Sequence, residues 1–336
     1  MNATLYTSRA ERQRPRRPRR SQRGVALIVA ILLVALGTII AATVAYENAM
    51  AARRGTATFA FDQSIMIAEG AEALAAFGIR QFFQADPSNV YLGQGWDKPV
   101  GPMEVVPGVM LEASLEDLQG RLNLNNLVRQ DGTPDPVYVA AFTKLLELVG
   151  LETKWAPMLV DWIDVDIVPQ SIDGAEDSVY MGQAPPYRTP NRYITSTTEL
   201  LALPGFGRDR YLALAPYIAA LPKDTKINVC TARDKVLDAF LPAGQTEFSA
   251  TAGQLGKNRA ATTGGCFPTL ANYQAAFSGP KTNGTSQGFS NFGQNSVYFR
   301  LTSFITIGSA EFNLYSLLYR DATGAVRPIQ RSFTPD

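Results

Sequence analysis

Residues Val25–Ala45 read VALIVAILLVALGTIIAATVA, 21 residues without a charge. As a helix rising ~1.5 Å per residue this run covers about 31 Å, the depth of a bilayer's hydrocarbon core. No other stretch of the chain approaches it, so the sequence predicts a single crossing. Eight arginines (9, 12, 14, 16, 17, 19, 20 and 23) precede the run against one acid, Glu11, and Tyr46, Glu47 and Asn48 follow it. That Lys/Arg bias keeps the N-terminus cytoplasmic and sends the bulk of the chain across the membrane. The apolar run is too long for an ordinary signal peptide and lacks a clear A-x-A site before polarity resumes.

Beyond the leader the composition is that of a folded protein, with 46% hydrophobic and 18% charged residues overall. The +1 net charge conceals an asymmetry. Outside residues 1–24 there remain 23 basic and 29 acidic residues, a net of −6, which makes nucleic acid a poor partner. Histidine is absent. This excludes Ser-His-Asp and Cys-His nucleophilic catalysis and removes the commonest transition-metal ligand. The two cysteines are too few for a zinc site and enough for one disulfide.

Apolar residues recur at helical intervals past the membrane (Met50, Phe59, Phe61, Ile65, Ile67, Ala68, Leu74, Phe77, Ile79, Phe82), and the helix is predicted to run to about Phe83. Pro87 and the Gly/Pro-rich stretch to Pro102 end it. Met103–Leu118 alternates as a strand, with Val105, Val109, Leu111 and Leu115 as core positions. At the far end Ser296–Ile307, Glu311–Tyr319 and Ala325–Phe333 read as strands, the last two joined by a turn at Asp321–Gly324. Between these strands Pro136–Val149, Trp155–Ile163, Ser196–Leu203, Asp209–Leu221 and Thr231–Phe240 suit helices, while 249–291 is Gly/Ser/Thr-rich and reads as mobile. The class is therefore α+β. It divides into a leader (1–24), a transmembrane and amphipathic spine helix (25–83), a first α+β part (84–122), a helical domain (123–292) and C-terminal strands (293–336).

Six carboxylates (Asp161, Asp164, Asp166, Asp173, Glu176, Asp177) crowd a loop marked by Pro169 and Gly174. Oxygen ligands on a turning loop suit Ca²⁺, but the spacing is not that of an EF-hand, and a solvated acidic loop fits it equally. A two-metal hydrolytic site is disfavoured without histidine, a basic clamp or a nucleophile. Ser196–Leu221, with Leu203–Gly207 at its centre, could form a helix-hairpin-helix, and a single-span DNA receptor is the alternative function this raises. Arg208 and Arg210 flank Asp209 in a net-negative chain, so core architecture is the better reading. In an oxidising compartment Cys230 and Cys266 are expected to pair, two buried free thiols being the alternative. Closing that interval would stabilise by roughly 3–4 kcal/mol in the chain-entropy model.

The basic leader ending at Gly24, with the apolar helix beginning at once, resembles the class III signal of type IV prepilins and type II secretion pseudopilins. In that family a prepilin peptidase cuts after the glycine and methylates the new terminus, here between Gly24 and Val25. Most such subunits carry Glu at the fifth mature position, where this chain has Val29. That departure, with the strings Asp117-Leu-Gln-Gly-Arg-Leu-Asn-Leu-Asn-Asn-Leu127, Asp161-Trp-Ile-Asp-Val-Asp166, Gly174-Ala-Glu-Asp177, Leu200-Leu-Ala-Leu-Pro-Gly205 and Ile227-Asn-Val-Cys-Thr-Ala232, resembles the K-type minor pseudopilins of type II secretion systems (the general secretion pathway protein K family). The resemblance implies a pilin-like fold, with a long N-terminal helix and small antiparallel sheet, into which the helical domain is inserted. It implies calcium in that domain, with Asp164, Asp166, Asp173, Glu176 and Asp177 as ligands and Asp161 behind them. It further implies a non-enzymatic role in protein secretion, at the tip of the pseudopilus, initiating its assembly and supporting export of folded proteins. The implied partners are the I- and J-type pseudopilins and the prepilin peptidase, with the secretin or secreted cargo as further contacts and no nucleic acid. The implied location is the bacterial inner membrane with the bulk periplasmic.

Mass spectrometry of the membrane-extracted protein should find a chain that begins at methylated Val25. A mature terminus at Met1, or one beyond residue 40, would remove the pilin-type reading.

Overall fold

In the computed structural model, which describes residues 23–262, 265–276, 281–282, 285–286 and 289–334, the apolar run lies in one helix, α1, from Arg23 to Ala85. The leader before Arg23 lies outside the described residues. The chain divides into two compact units, one up to Phe59 and one from Ala60 onward. In the first, apolar side chains point outward all round the helix, the pattern of a helix made for an apolar solvent. The two threonine hydroxyls of the apolar run Val25–Ala45 are satisfied within the helix, Thr38 Oγ1 donating to the Ala35 carbonyl at 2.8 Å and Thr43 Oγ1 to that of Ile39 at 2.7 Å, so neither is an orphan donor in hydrocarbon.

In the second unit the rest of α1 lies against a five-stranded antiparallel sheet whose spatial order follows the chain. The strands are β1 (Val100–Val106), β2 (Val109–Asp117), β3 (Tyr298–Ile307), β4 (Ala310–Arg320) and β5 (Val326–Ser332). The single strand predicted over Met103–Leu118 is in fact a hairpin. Pro107 cannot donate to a ladder, and Gly108 supplies the positive φ (+79°) at which the chain reverses. The three C-terminal strands lie where alternation placed them, and the predicted turn is closed by Gly324 N–H donating to Asp321 O at 3.0 Å. Ala68, Ala71 and Ile79 on the inner face of α1 pack against Leu111, Phe299, Leu301, Ile305 and Leu318. The apolar recurrence along α1 combines two faces, however. Met66 and Phe77 are exposed on the side away from this core, and Leu74, also exposed, borders the groove between α1 and the β1–β2 hairpin. Glu72, the one buried acid on α1, is fixed by Arg331 on β5 (Nε 2.8 Å, Nη2 2.6 Å) and by Ser316 Oγ at 2.6 Å.

Between β2 and β3 the chain builds a helical layer with its own core, drawn from Leu122 to Phe292. Here lie α2 (Pro136–Leu148), α3 (Trp155–Ile163), α4 (Asp177–Tyr180), α5 (Gly207–Leu214), α6 (Asp234–Ala239), α7 (Gln254–Ala261) and α8 (Leu270–Ala276). Helix α2 begins as its sequence dictates, Pro136 at the first position and Asp135 Oδ1 accepting from the Val137 and Tyr138 amides at 2.9 and 3.2 Å. The helix predicted over Asp209–Leu221 stops at Leu214, since Pro216 turns the chain into an extended pair, Ile218–Ala219 beside Leu122–Asn123. The segment 249–291, read as mobile, contains α7 and α8, which bury Leu255 and Tyr273. A disulfide joins Cys230 to Cys266 with Cα atoms 4.7 Å apart, tying the segment before α6 to the one between α7 and α8.

Where strand β2 leaves the sheet, buried polar side chains do what regular structure does elsewhere. Asn125 accepts from the Ile194 amide at 2.9 Å and donates to the Ile194 and Leu221 carbonyls, both at 2.9 Å. Asn123 accepts from the Leu221 amide at 3.0 Å, and Asn126 Nδ2 donates to the Thr225 carbonyl at 3.0 Å. Asp117 is buried. Its Oδ1 accepts from the Gln119 amide at 2.9 Å, and its Oδ2 from Thr231 Oγ1 (2.5 Å), Ser296 Oγ (2.6 Å) and Asn228 Nδ2 (3.1 Å). Gly120 follows, and a Cβ there would come within 2.7 Å of the Thr231 carbonyl oxygen.

Asp117→Ala takes the acceptor from four buried donors; Asn228 Nδ2 keeps the Val90 carbonyl, while the Gln119 amide and the Thr231 and Ser296 hydroxyls lose their best partner, at ~1–3 kcal/mol each. A loss of about 3 kcal/mol or more would lower the melting midpoint by roughly 6–12 °C for a unit this large. Differential scanning calorimetry should register that drop, and a shift of under about 1 °C would deny Asp117 its role.

Candidate metal centre

Helix α3 delivers Asp161 in its last turn and ends at Asp164. The buried Asp161 carboxylate folds the following loop back onto the helix, Oδ1 accepting from the Gln170 amide at 3.0 Å and Oδ2 from the Ala175 amide at 2.7 Å. Gly174 is required for this closure, because any Cβ there would overlap the Asp161 carboxylate. The fold-back brings one carboxylate oxygen each of Asp164, Asp166 and Glu176 within 4.8 Å of one another. Oxygens bound to a common Ca²⁺ at ~2.3–2.6 Å lie no farther apart than about 5 Å, so the separation fits.

Asp164 and Glu176 are buried while Asp166 is exposed. Asp164 Oδ2 accepts from Gln170 Nε2 at 3.1 Å, but Asp164 Oδ1 and both Glu176 oxygens are buried without a hydrogen-bond partner. Burial, then repulsion from Asp161, Asp164, Asp166 and Asp177, pushes the Glu176 carboxyl up to about 7. Burial, then repulsion from Asp166, raises Asp164 to about 6. Three carboxylates held together with three orphaned oxygens are costly unless protons or a cation occupy the space. The residues therefore fit a hard divalent cation.

Asp173 and Asp177 stand outside this group. Asp173 is exposed, with its amide on Ser171 Oγ at 3.2 Å. Asp177 Oδ1 accepts from the amide and hydroxyl of Thr189, both at 3.1 Å, and its Oδ2 lies 3.7 Å from Arg188. Sequence reasoning missed Asn191. It adopts φ 45°, its Nδ2 donates to the Asp166 carbonyl at 3.0 Å, and its Oδ1 is buried without a partner. The only local signal is an asparagine, tolerant of the left-handed region, following Pro190.

The supposed DNA-binding hairpin serves the core. Leu200, Leu203, Phe206 and Leu214 are buried, and Phe206 meets Trp155 edge-on at 5.1 Å. Arg210 donates to the Gly205 and Phe206 carbonyls at 3.1 and 3.0 Å and lies over the Trp155 ring, leaving it engaged by its own turn. Gly24 and Val25 are exposed near the start of α1.

A membrane-length N-terminal helix, a small antiparallel sheet packed on a helix, and a helical layer built between adjacent strands together define a pilin-like α+β protein with, among the described residues, one candidate membrane span. A family model for type II secretion system protein K matches residues 120–223. The type II secretion system protein K of Pseudomonas aeruginosa is 32% identical over 322 residues, covering 92% of both chains. That of Aeromonas hydrophila is 37% identical over 213 residues, covering 60% of this chain and 64% of the relative. The Klebsiella pneumoniae protein K is 32% identical over 309 residues, 88% and 92% of the two chains. The chain belongs to the type II secretion system protein K family. In fold it is similar to a chain of the GspK–GspI–GspJ complex from enterotoxigenic Escherichia coli, with a TM-score of 0.68 and 22% identity over 84% of this chain and 100% of that one. These relatives are named as secretion-system proteins rather than enzymes, and none of the names favours a DNA receptor.

Free of divalent ions, the folded protein keeps protons on Glu176 and Asp164 that the unfolded chain has already released. Stability contributed by these groups is thus present at low pH and lost as pH rises from about 4.5 to about 7. Melting in the presence of a chelator should fall across that window, and Glu176→Gln should flatten the decline. A chelated midpoint that rises from pH 4.5 to 7 with no effect of Glu176→Gln would contradict the assignment.

Proposed function

We propose that this chain is a minor pseudopilin at the tip of the type II secretion pseudopilus, where it initiates assembly and supports export of folded proteins across the outer membrane. Membership of the protein K family carries the reading, and Val29 gives it a physical form. An acid at that position would pair with the N-terminal amine of a neighbouring subunit inside the membrane, where an unpaired charge is costly. A subunit with valine there offers no such partner to a neighbour above it. After prepilin peptidase cleavage between Gly24 and Val25 the mature chain is anchored in the inner membrane by Val25–Ala45, N-terminus cytoplasmic and the remainder periplasmic. Residues 123–292 form an insert in the pilin-like unit, a division supported by the separate larger cores of sheet and helical layer, with a small third cluster of Leu118, Ala219, Leu221 and Leu317 where they join.

The partners are the I- and J-type pseudopilins, as in the Escherichia coli complex of similar fold. They meet the exposed face of α1 at Met66, Leu74 and Phe77, apolar side chains that the chain's own sheet leaves uncovered. Calcium fills the site in the helical layer. Asp164, Asp166 and Glu176 supply its carboxylates and Asn191 Oδ1 an additional oxygen, while Asp173 and Asp177 would turn from their present surroundings to join. Calcium there neutralises the crowded acids and fastens the loop.

Co-purification of the full mature chain with the I- and J-type subunits of the same organism tests the reading. A ternary complex is expected, and Leu74→Glu with Phe77→Glu should weaken it at least ~tenfold by placing charge in an apolar contact. Undiminished assembly of that double variant would displace the interface from α1, and failure of the native chain to assemble would overturn the partner assignment.

A further inference from the structure

The face of the sheet turned away from α1 meets the helical layer at a basic cluster. Phe299 and Leu301 pack toward α1, so Arg300 between them lies on the opposite face, across from Glu116 on β2. Arg121, Arg300 and Arg233 all reach Glu116, at 2.6, 2.7 and 3.4 Å. Among the described residues no second acid lies within 4 Å of any of the three guanidiniums. Glu116 stays ionised, its carboxyl held down at about 2. The Arg233 side chain is 48% exposed, and water screens its charge. Those of Arg121 and Arg300 are only 8% and 16% exposed. Two sheltered cations therefore share one anion, and one positive charge is left over.

A cavity of about 20 Å³ lies at this cluster, bordered by Arg300 and Gln330 from the sheet and by Arg121, Thr195 and Ser196 from the helical side. No acid is among its lining residues. Arg121 Nη1 is engaged by the Ala215 and Ile218 carbonyls at 3.0 and 3.4 Å. Arg300 Nε, by contrast, is buried without a hydrogen-bond partner, and among the described residues the Gln330 side-chain amide has none either. Size narrows what can answer these donors. The space admits one particle about as large as a water molecule and excludes sulfate or phosphate. Water would satisfy a donor and leave the charge uncompensated. A small monovalent anion answers both.

We propose that this cavity is a binding site for one small monovalent inorganic anion of the chloride class, which accepts from Arg300 Nε and the Gln330 amide and balances the guanidinium charge that Glu116 leaves over. Arg300 stands on β3, Gln330 on β5, and Arg121 just beyond β2. The ion thus fastens the helical layer to the sheet, beside the small apolar cluster of Leu118, Ala219, Leu221 and Leu317. Neither the cation site nor the partner face on α1 includes any of these residues.

The test melts the full chain in non-ionic detergent at fixed ionic strength while chloride replaces gluconate, an anion too large for the cavity. The midpoint should climb by roughly 4 °C or more between about 1 mM and about 300 mM chloride. Chlorine nuclear magnetic resonance should show excess line width that added bromide removes. Gln330→Glu places the balancing charge on the protein itself, so it should raise the midpoint in gluconate and lose most of the chloride response. Arg300→Lys keeps the charge and deletes the Nε donor, and should need at least ~tenfold more chloride for the same rise. A midpoint that follows ionic strength rather than chloride, with no excess line width, overturns the proposal and gives the cavity to water. A chloride response left intact in both variants puts the ion elsewhere on the chain and overturns the assignment to Arg300 and Gln330.

Discussion

The carboxylate of Asp117 is where the two cores of this molecule are keyed together. It ends strand β2 and accepts from Asn228, Thr231 and Ser296, which are 111, 114 and 179 residues away in sequence. Asn228 reaches further, donating to the Val90 carbonyl at 2.8 Å in the segment after α1. Three separate stretches of chain thus meet on one buried acid, and Asn228 ties in a fourth. Burial pushes its carboxyl up, and the donors from Ser296, Thr231, Gln119 and Asn228 pull it back. Such a group is satisfied only when every stretch is in place, which makes the junction sensitive to the whole fold.

The surroundings extend the same logic. Glu116, adjacent in β2, faces Arg121 at 2.6 Å, Arg300 at 2.7 Å and Arg233 at 3.4 Å. Burial opposes its charge, and the three guanidiniums outweigh that, holding its carboxyl down at about 2. Gln119 donates to the Lys226 carbonyl at 2.8 Å and accepts from the Val297 amide at 2.6 Å. The loop at the candidate metal centre is a smaller version of the device, one buried acid, Asp161, closing a loop through two amides. There, however, the closure leaves three carboxylates facing one another, and a cation is the natural complement.

What could be read from the sequence was what depends on local pattern. The apolar run, the C-terminal strands, the limits of α3 and the cap of α2 follow from composition, period and capping chemistry over a few residues. The β1–β2 hairpin was missed although Pro107-Gly108 signals it, because alternation continues across the turn. Helices α7 and α8 were hidden by a Gly/Ser/Thr-rich composition, and their burial of Leu255 and Tyr273 is tertiary. The acid-rich loop was legible as a cation candidate, but not which acids converge. Asp161 is taken by two amides and Asp177 by Thr189, contacts fixed only when the loop folds back. Asn191 lies 25 residues from Asp166 and carries no motif, so nothing local could have found it.

If Asp117 and its donors couple the sheet to the helical layer, the two should open as one cooperative unit. Native-state hydrogen exchange on the full chain in detergent, at rising sub-denaturing guanidinium, measures this directly. The amides to follow are those of β3, of Val229 (bonded to the Gly293 carbonyl at 3.0 Å) and of Arg233 (bonded to the Gly120 carbonyl at 3.2 Å). The account predicts that their opening free energies and denaturant slopes merge on a single isotherm. A helical layer whose amides exchange on a separate, lower isotherm, while β3 stays protected, would contradict it.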